Sequence, residues 1–390
     1  MKESRLPQGG ANLFQEIKAV SKKAEDSGQK LIKLSIGQPS GPALKSARVA
    51  AAEAVLREEE SMHEYQDNGS PGVLNFAKRF VAGHVLIPGD ANVDYLPIPG
   101  IKPMLGLIPM ACGKDLRVVA TTTNPGYPTP RDWCHYLDKL VAEPTLKPSN
   151  NFLFDCEELK SPLPGLVMTN YPHNPSGAVA TKEWWEKLCA FCEEHEIRLF
   201  NDAAYSALVY DSEACCLSSV ALNFPNLSWV EAFSASKLIG NGTGWRVGAM
   251  IGSPDFIGDI KTIKGNTDSG FVAPMAVGVL NTIEHDTQGI TEVAEKYRSR
   301  LQLLIEILST AGMKLATEPK AGFFSLWQAP KYAFGREMKD ARDFNFTMIE
   351  ETGVVGVHFG KYIRYAVASA DIDSVSDELI AAFARAEIKY

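Results

Sequence analysis

Residues 234–248 read SASKLIGNGTGWRVG, with one lysine among hydroxyls and glycines and an arginine nine positions after it. A lysine amine attacks carbonyl carbon once it has lost its proton, and a guanidinium presents a planar fork of donors that matches a phosphate or a carboxylate. Glycines tolerate positive φ and close backbone approach, so Gly240, Gly242 and Gly244 predict either a backbone wrapped around a ligand or an irregular surface loop. Upstream, Asp202 ends the apolar run RLFND. An acid at the tip of an apolar strand caps a helix, pairs with a cation or meets a ligand. The run LVMTN ends in Asn170 and leads into YPHNPSG, which carries Asn174.

The elements that position these residues follow from hydrophobic periodicity. The runs 166–170, 198–202, 229–233 and 247–251 read as buried strands, and 183–195, 254–263 and 273–284 read as helices. This alternation predicts an α/β fold with a mostly parallel central sheet flanked by helices, and ligands gathered at the carboxyl ends of its strands. From about residue 289 the texture changes. A charged helix over 289–311, the run AGFFSLWQ, a helix near 340–351, the strand-like YIRYAVAS and a helix near 375–387 predict a smaller α+β domain.

The 390-residue chain is long for a single ordinary core, which favours a large domain with a smaller companion. The formal net charge is −8 with no basic run, which argues against nucleic acid or an anionic membrane as the main partner. The first twenty residues lack the apolar stretch of a secretory signal and no run approaches a membrane span, so a cytoplasmic protein is expected. Seven cysteines without framework spacing suit reduced thiols. Cys189 and Cys192 lie inside a helical pattern with no second pair, and no metal site is expected.

An amine, an acid at a strand end and an Asn-Pro turn together suit pyridoxal phosphate, which needs a Schiff-base amine, a carboxylate at its ring nitrogen and a donor at its phenolic oxygen. On these residues the chain resembles the class I/II aminotransferases of the fold type I pyridoxal phosphate superfamily, with matching motifs from about 30 to 370. The resemblance implies that Lys237 forms the Schiff base and later carries the proton, while Ser234, Ser236 and Arg246 hold the phosphate. It places Asn174 at the phenolic oxygen with Tyr205 beside it, and Asp202 at the ring nitrogen. PGIKPMLGL occupies the family's first phosphate loop, which nominates Gly100, Ile101 and Lys102 ahead of a helix. NPGYPTP puts Tyr127 on the cofactor face. EYQDNGSPG matches a segment that crosses a homodimer interface, so Tyr65 is expected at the neighbouring subunit's phosphate in a shared active site. LSIGQPS nominates Gly37 for substrate, together with Asn174. The domains implied are a cofactor-binding unit over 46–285 and a small α+β unit built from 1–45 and 286–390.

GNTDSGF, TGWRVG and DAAYSALVY look most like the branch that contains the bacterial and archaeal LL-diaminopimelate aminotransferases. The strand YIRYAVAS nominates Arg364 for the substrate α-carboxylate, facing the same way as Tyr362 and Ala366, with Lys361 as the rival cation. The preceding loop is shortened to FGK, which leaves His358 and Phe359 where relatives have a longer pocket wall. The activity implied is ping-pong transfer of an amino group between an L-amino acid and a 2-oxo acid, with 2-oxoglutarate and glutamate as one pair. A β-lyase or decarboxylase would share every cofactor residue. A nicotinamide dehydrogenase would need a GxGxxG turn, which is missing, and a regulator would need a DNA-binding segment.

Overall fold

The computed structural model describes residues 13–390. The described chain opens with the helix Leu13–Asp26 and a two-residue strand, β1 (Ile32–Lys33). Seven strands then form one sheet: β2 (Asp94–Ile98), β3 (Val118–Thr121), β4 (Leu140–Ala142), β5 (Leu166–Thr169), β6 (Arg198–Asp202), β7 (Trp229–Ser234) and β8 (Gly248–Gly252). Their spatial order is β2-β8-β7-β6-β5-β3-β4. The strands from β4 to β7 pair in parallel, and β8 alone is antiparallel to its neighbours β7 and β2.

The central strands are apolar almost throughout because both faces of the sheet are covered. Along β6, Leu199 joins the layer that contains Trp185 and Leu188 of the helix Lys182–Glu194, while Phe200 joins the layer of Met104, Ile108 and Phe256. The two-residue period of a strand therefore puts Asp202 on the face of Phe200, and Ser234 on the face of Val230 and Ala232 in the same layer. β6 and β7 pair Asp202 with Ala232, so both polar tips emerge at one end of the sheet.

The C-terminal third adds β9 (Leu315–Thr317), β10 (Phe324–Gln328), the hairpin β11 (Tyr332–Ala333) and β12 (Arg336–Glu337), then β13 (Val354–Val355), β14 (Val357–Phe359) and β15 (Tyr362–Ala366). A second, antiparallel sheet has the order β14-β15-β10-β9. β13 pairs in parallel with β1, matching Ile32 to Val354, and so ties the start of the described chain to its last third. Ile17 and Ala24 of the first helix pack with Ile349, Val355, Val357 and Phe359. The shortened loop FGK is a tight hairpin turn: Phe359 pairs with Tyr362, which leaves only Gly360 and Lys361 to reverse the chain, with Gly360 at φ 56°.

One buried carboxylate lies on the far face of the sheet. Glu231 of β7 accepts hydrogen bonds from Asn201 Nδ2 (2.8 Å), from the backbone N–H groups of Leu217 (3.1 Å) and Ser218 (2.8 Å), and from Ser218 Oγ (2.6 Å). Burial pushes its pKa up and the serine and asparagine bonds oppose that shift. Glu231→Leu should therefore cost about 3–5 kcal/mol of stability by stranding four donors, and Glu231→Gln clearly less. Urea unfolding midpoints of the two variants check this, and equal losses would contradict it.

Candidate active site

One cavity of about 800 Å³ opens at the carboxyl ends of β5, β6 and β7. Its wall brings together Gly37, Ile101, Lys102, Tyr127, Asn174, Asp202, Tyr205, Ser234, Ser236, Lys237, Arg246 and Arg364. Two nominated residues stand outside that wall. Gly100 backs onto Arg246: its φ is +82°, and a Cβ there would come within 2.6 Å of the guanidinium Nη2. Tyr65 is 78% exposed and lies in an adjoining groove whose wall also includes Arg246.

The lysine loop is built differently from its glycine spelling. Ser234 closes β7 and caps the short helix Ala235–Leu238, its Oγ accepting from Ser236 N–H at 3.2 Å and donating to Ser236 Oγ at 2.9 Å. Among the three glycines only Gly240 has positive φ, +80°. Gly242 is needed for space, since a Cβ would sit 2.5 Å from the Ala235 carbonyl, and Gly244 has open surroundings. The left-handed residue at the end of the loop is Arg246 itself, at φ 55°, with Nη1 donating to the Thr243 carbonyl at 3.0 Å. The helix expected after Gly100 is a 3₁₀ turn, Lys102–Gly106, followed by the short helix Leu107–Ala111.

Burial sets the charges. It pushes the Asp202 carboxyl up to about 6, opposed by Lys237 and by the N–H of Ala204, which donates to Oδ1 at 3.1 Å. Burial lowers the pKa of Lys237, Asp202 opposes that, and Arg246 adds to it. The Lys237 ammonium lies 5.1 Å from the centre of the Tyr205 ring, which meets Phe323 and Phe324 edge-on. Burial raises the Tyr205 hydroxyl, so it remains a donor at neutral pH.

Arg364 is the least matched charge. Nη1 donates to Asn174 Oδ1 at 2.9 Å and Nη2 to the Ser35 carbonyl at 2.7 Å, while the buried Nε has no partner among the described residues. The guanidinium lies 4.4 Å from the Phe324 ring and 5.5 Å from the Phe359 ring, and among the described residues no carboxylate pairs with it. Burial lowers its pKa to about 10. A cation held there is short of one anion, and a guanidinium suits a carboxylate.

The shortened loop contributes Phe359 to this site but not His358. The His358 ring meets Phe346 edge-on and its Nδ1 lies 3.5 Å from Asn345, while Lys361 reaches the ring of Tyr362 outside the cavity wall. Asn170, not nominated from sequence, links the site: its Nδ2 donates to the Asp202 carbonyl at 2.8 Å and its Oδ1 accepts from Asn174 N–H at 3.1 Å. Ser35 and one face of the first helix were also missed. His173 is buried away from the cavity wall and bonded to Ser176 Oγ at 2.6 Å.

Lys237, Asp202, Asn174, Tyr205, Arg246 and Arg364 thus share one cavity. Residues 29–379 match the family model for aminotransferase class I and II. The chain is 31% identical to an LL-diaminopimelate aminotransferase of Methanocaldococcus jannaschii over 90% of this chain and 85% of the relative. It is 29% identical to another enzyme of that name from Syntrophobacter fumaroxidans, over 94% of both chains. The aspartate aminotransferase structure from Rhizobium meliloti superposes with a TM-score of 0.85 at 20% identity, over 99% of this chain and 98% of that one, and so shares the fold.

The raised carboxyl of Asp202 makes a pH prediction for the ligand-free protein. Its pKa rises from 3.8 to about 6 on folding, so between those values the native state keeps a proton that the unfolded chain has released, and stability falls as pH rises. Asp202→Asn should therefore gain stability relative to the unsubstituted protein as pH rises from about 4 to 6, by up to roughly 3 kcal/mol, and then level off. Denaturant titrations across that range check it, and a pH-independent difference would refute the assignment.

Proposed function

The chain belongs to the aminotransferase class I and II family, whose members use pyridoxal phosphate, and from that premise we propose which of its residues act and on what. It is a pyridoxal-phosphate-dependent aminotransferase of fold type I. The residues suit the cofactor. Ser234, Ser236 and Arg246, with the Gly100–Lys102 segment, would take its phosphate, and the Cβ-free surface of Gly100 against Arg246 supports that reading. Asp202 would hold a proton at the ring nitrogen, Asn174 and Tyr205 would serve the phenolic oxygen, Tyr127 would cover a ring face and Lys237 would take the aldehyde carbon. When bound, pyridoxal phosphate supplies an electron sink for the bonds at the substrate Cα.

The observation that carries the substrate reading is Arg364, a buried cation with a vacant Nε in the same cavity as Lys237. It would bind the α-carboxylate of an amino acid or 2-oxo acid and so fix Cα within reach of Lys237. Lys237, whose proton affinity burial reduces, would then serve as a free base that removes the Cα proton and returns it. Amino transfer runs in two half-reactions between an L-amino acid and a 2-oxo acid, with glutamate and 2-oxoglutarate as one pair. LL-diaminopimelate is the donor suggested by the relatives of that name.

The cofactor-binding unit spans 46–285, and a second unit combines 286–390 with 1–45, of which 1–12 lie outside the described residues. The β1–β13 pairing supports that grouping. The working form is a homodimer in the cytoplasm, with Tyr65 reaching the neighbouring phosphate. The 78% exposure of Tyr65 supports the dimer reading. No helix among the described residues is long and apolar enough to cross a membrane.

Two outcomes are expected. Purified protein loaded with pyridoxal phosphate should absorb in the visible, lose that band on borohydride reduction and carry the label on Lys237; a label elsewhere would overturn the assignment. Arg364→Lys should keep the band yet lower kcat/KM roughly 100- to 1,000-fold for every amino acid and oxo acid alike, because all share the carboxylate. A loss confined to one substrate would move Arg364 to the side-chain end of the pocket.

A further inference from the structure

The turn that carries Tyr205 is held at both ends by backbone and in its middle by one side chain. Ala203 N–H donates to the Ala232 carbonyl at 2.9 Å, and Ser206 N–H closes the turn on the Ala203 carbonyl at 3.1 Å. Further on, Gly322 N–H donates to the Leu208 carbonyl at 2.8 Å. Among the described residues, the one side-chain hydrogen bond made by residues 203–207 joins Ser206 Oγ to His84 Nδ1 at 2.9 Å.

His84 comes from a segment that the cavity does not otherwise use. It follows the helix Phe76–Ala82, its N–H donating to the Val81 carbonyl at 2.8 Å. Gly83 is pressed so close to the helix Ala273–His285 that a Cβ there would fall 2.5 Å from Ile283 Cγ2. The imidazole stacks on Phe233, with centroids 4.7 Å apart and an interplanar angle of 18°, and its centroid lies 5.1 Å from that of the Phe80 ring. Phe233 immediately precedes Ser234, where the lysine turn begins. From outside the cavity wall, His84 thus touches the chain neighbours of both Tyr205 and Ser234.

Packing alone does not explain a histidine at this position. Its Nε2 is buried with no partner among the described residues, and a polar atom left in that state costs stability. A phenylalanine would fill the same stack without that cost. Burial pushes the imidazole pKa down to about 3, so the ring is neutral near pH 7, and its one satisfied nitrogen is the Nδ1 that meets Ser206.

We infer that His84 is a positioning residue for the reaction: through Ser206 it sets where the Tyr205 phenol stands relative to Lys237, and its stack on Phe233 ties it to the strand that leads to that lysine. This rests on the reading in which Tyr205 serves the phenolic oxygen of the cofactor. A donor there draws off negative charge that otherwise holds a proton on the neighbouring imine nitrogen, so a displaced phenol raises the pH at which the visible band titrates.

The test follows the visible band of the holoenzyme from about pH 5 to about pH 10, together with urea unfolding of each variant. His84→Phe, which keeps the stack, should move the titration up by about half a unit or more, with a urea midpoint no lower than that of the unsubstituted protein. Ser206→Ala should give a shift of the same size, and the double variant no more than either alone, because all three break one bond. His84→Asn offers an amide nitrogen in place of Nδ1 and gives up the stack, so it should lower the urea midpoint and leave the titration close to that of the unsubstituted enzyme. A histidine with a purely structural role would move the midpoint and not the titration. Unmoved titrations in His84→Phe and Ser206→Ala, or shifts that add in the double variant, would overturn the inference. Tyr205→Phe separates the two readings. If it leaves the titration unmoved, the reading of Tyr205 falls and the inference with it, whereas a shift from Tyr205→Phe with none from His84→Phe and Ser206→Ala brings down the inference alone.

Discussion

A guanidinium taken out of water with no carboxylate to meet it constrains the whole site. Arg364 is held by three segments distant in sequence: the strand β15 that carries it, the carbonyl of Ser35 just beyond β1, and the amide of Asn174 past the end of β5. Through Asn174 and Asn170 the same hydrogen-bonded line continues to the backbone of Asp202. The rings of Phe324 and Phe359 lie 4.4 and 5.5 Å from the guanidinium, whose buried Nε has no hydrogen-bond partner among the described residues. A cation fixed by neutral partners therefore stands in the same cavity as Lys237, where under the proposed reading it would set the position of a ligand's carboxylate.

Two buried carboxylates on adjacent strands show how structural and chemical roles separate. Glu231 accepts four hydrogen bonds and faces the layer that contains Trp185 and Leu188, so its oxygens have little left to offer. Asp202, one strand away and on the other face, accepts a single bond from Ala204 and looks into the cavity toward Lys237. Both are pushed up by burial. Only Asp202 has unused acceptor capacity aimed where a ligand can sit, which is the mark of a group kept for binding rather than for holding strands together.

How much of this was legible in the sequence depended on how local each constraint is. Lys237, Asp202 and Asn174 follow strand ends whose apolar runs are plain, and the structure sets those strands within a residue of their expected limits. Arg364 was reachable from strand alternation over 362–365, where Ile363 and Tyr365 go to one core cluster and Tyr362 to the other, although Ala366, expected on the face of Arg364, joins Ile363 and Tyr365. The roles of Gly240, Gly242 and Gly244 were not separable, since one answers to φ, one to the nearby Ala235 carbonyl and one to neither. Asn170 was visible only as a strand tip, its two bonds being made to segments folded beside it. The β1–β13 pairing is two residues long, too short for any pattern to announce, and helical periodicity shows which face of residues 13–26 is amphipathic without saying what that face covers.

The surroundings of Tyr65 extend the same logic to the groove that adjoins the cavity. An exposed aromatic on a free loop would lose much of its binding energy to ordering. Here the loop is already fixed: Gln66 donates to the carbonyls of Ser61 (2.9 Å) and Glu64 (3.0 Å) and accepts from Gly72 N–H (2.9 Å), while Asp67 N–H donates to the Ser269 carbonyl at 2.9 Å. Gly72 and Gly270 are required for the fit, because a Cβ would fall 2.3 Å from the Ser61 carbonyl or 2.6 Å from Asp67 N. The partner segment is anchored in turn by Lys264, fully buried and paired with Asp268 at 2.6 Å. Tyr65 is thus exposed on a preformed frame beside Arg246, so whatever meets it there need not order the loop first.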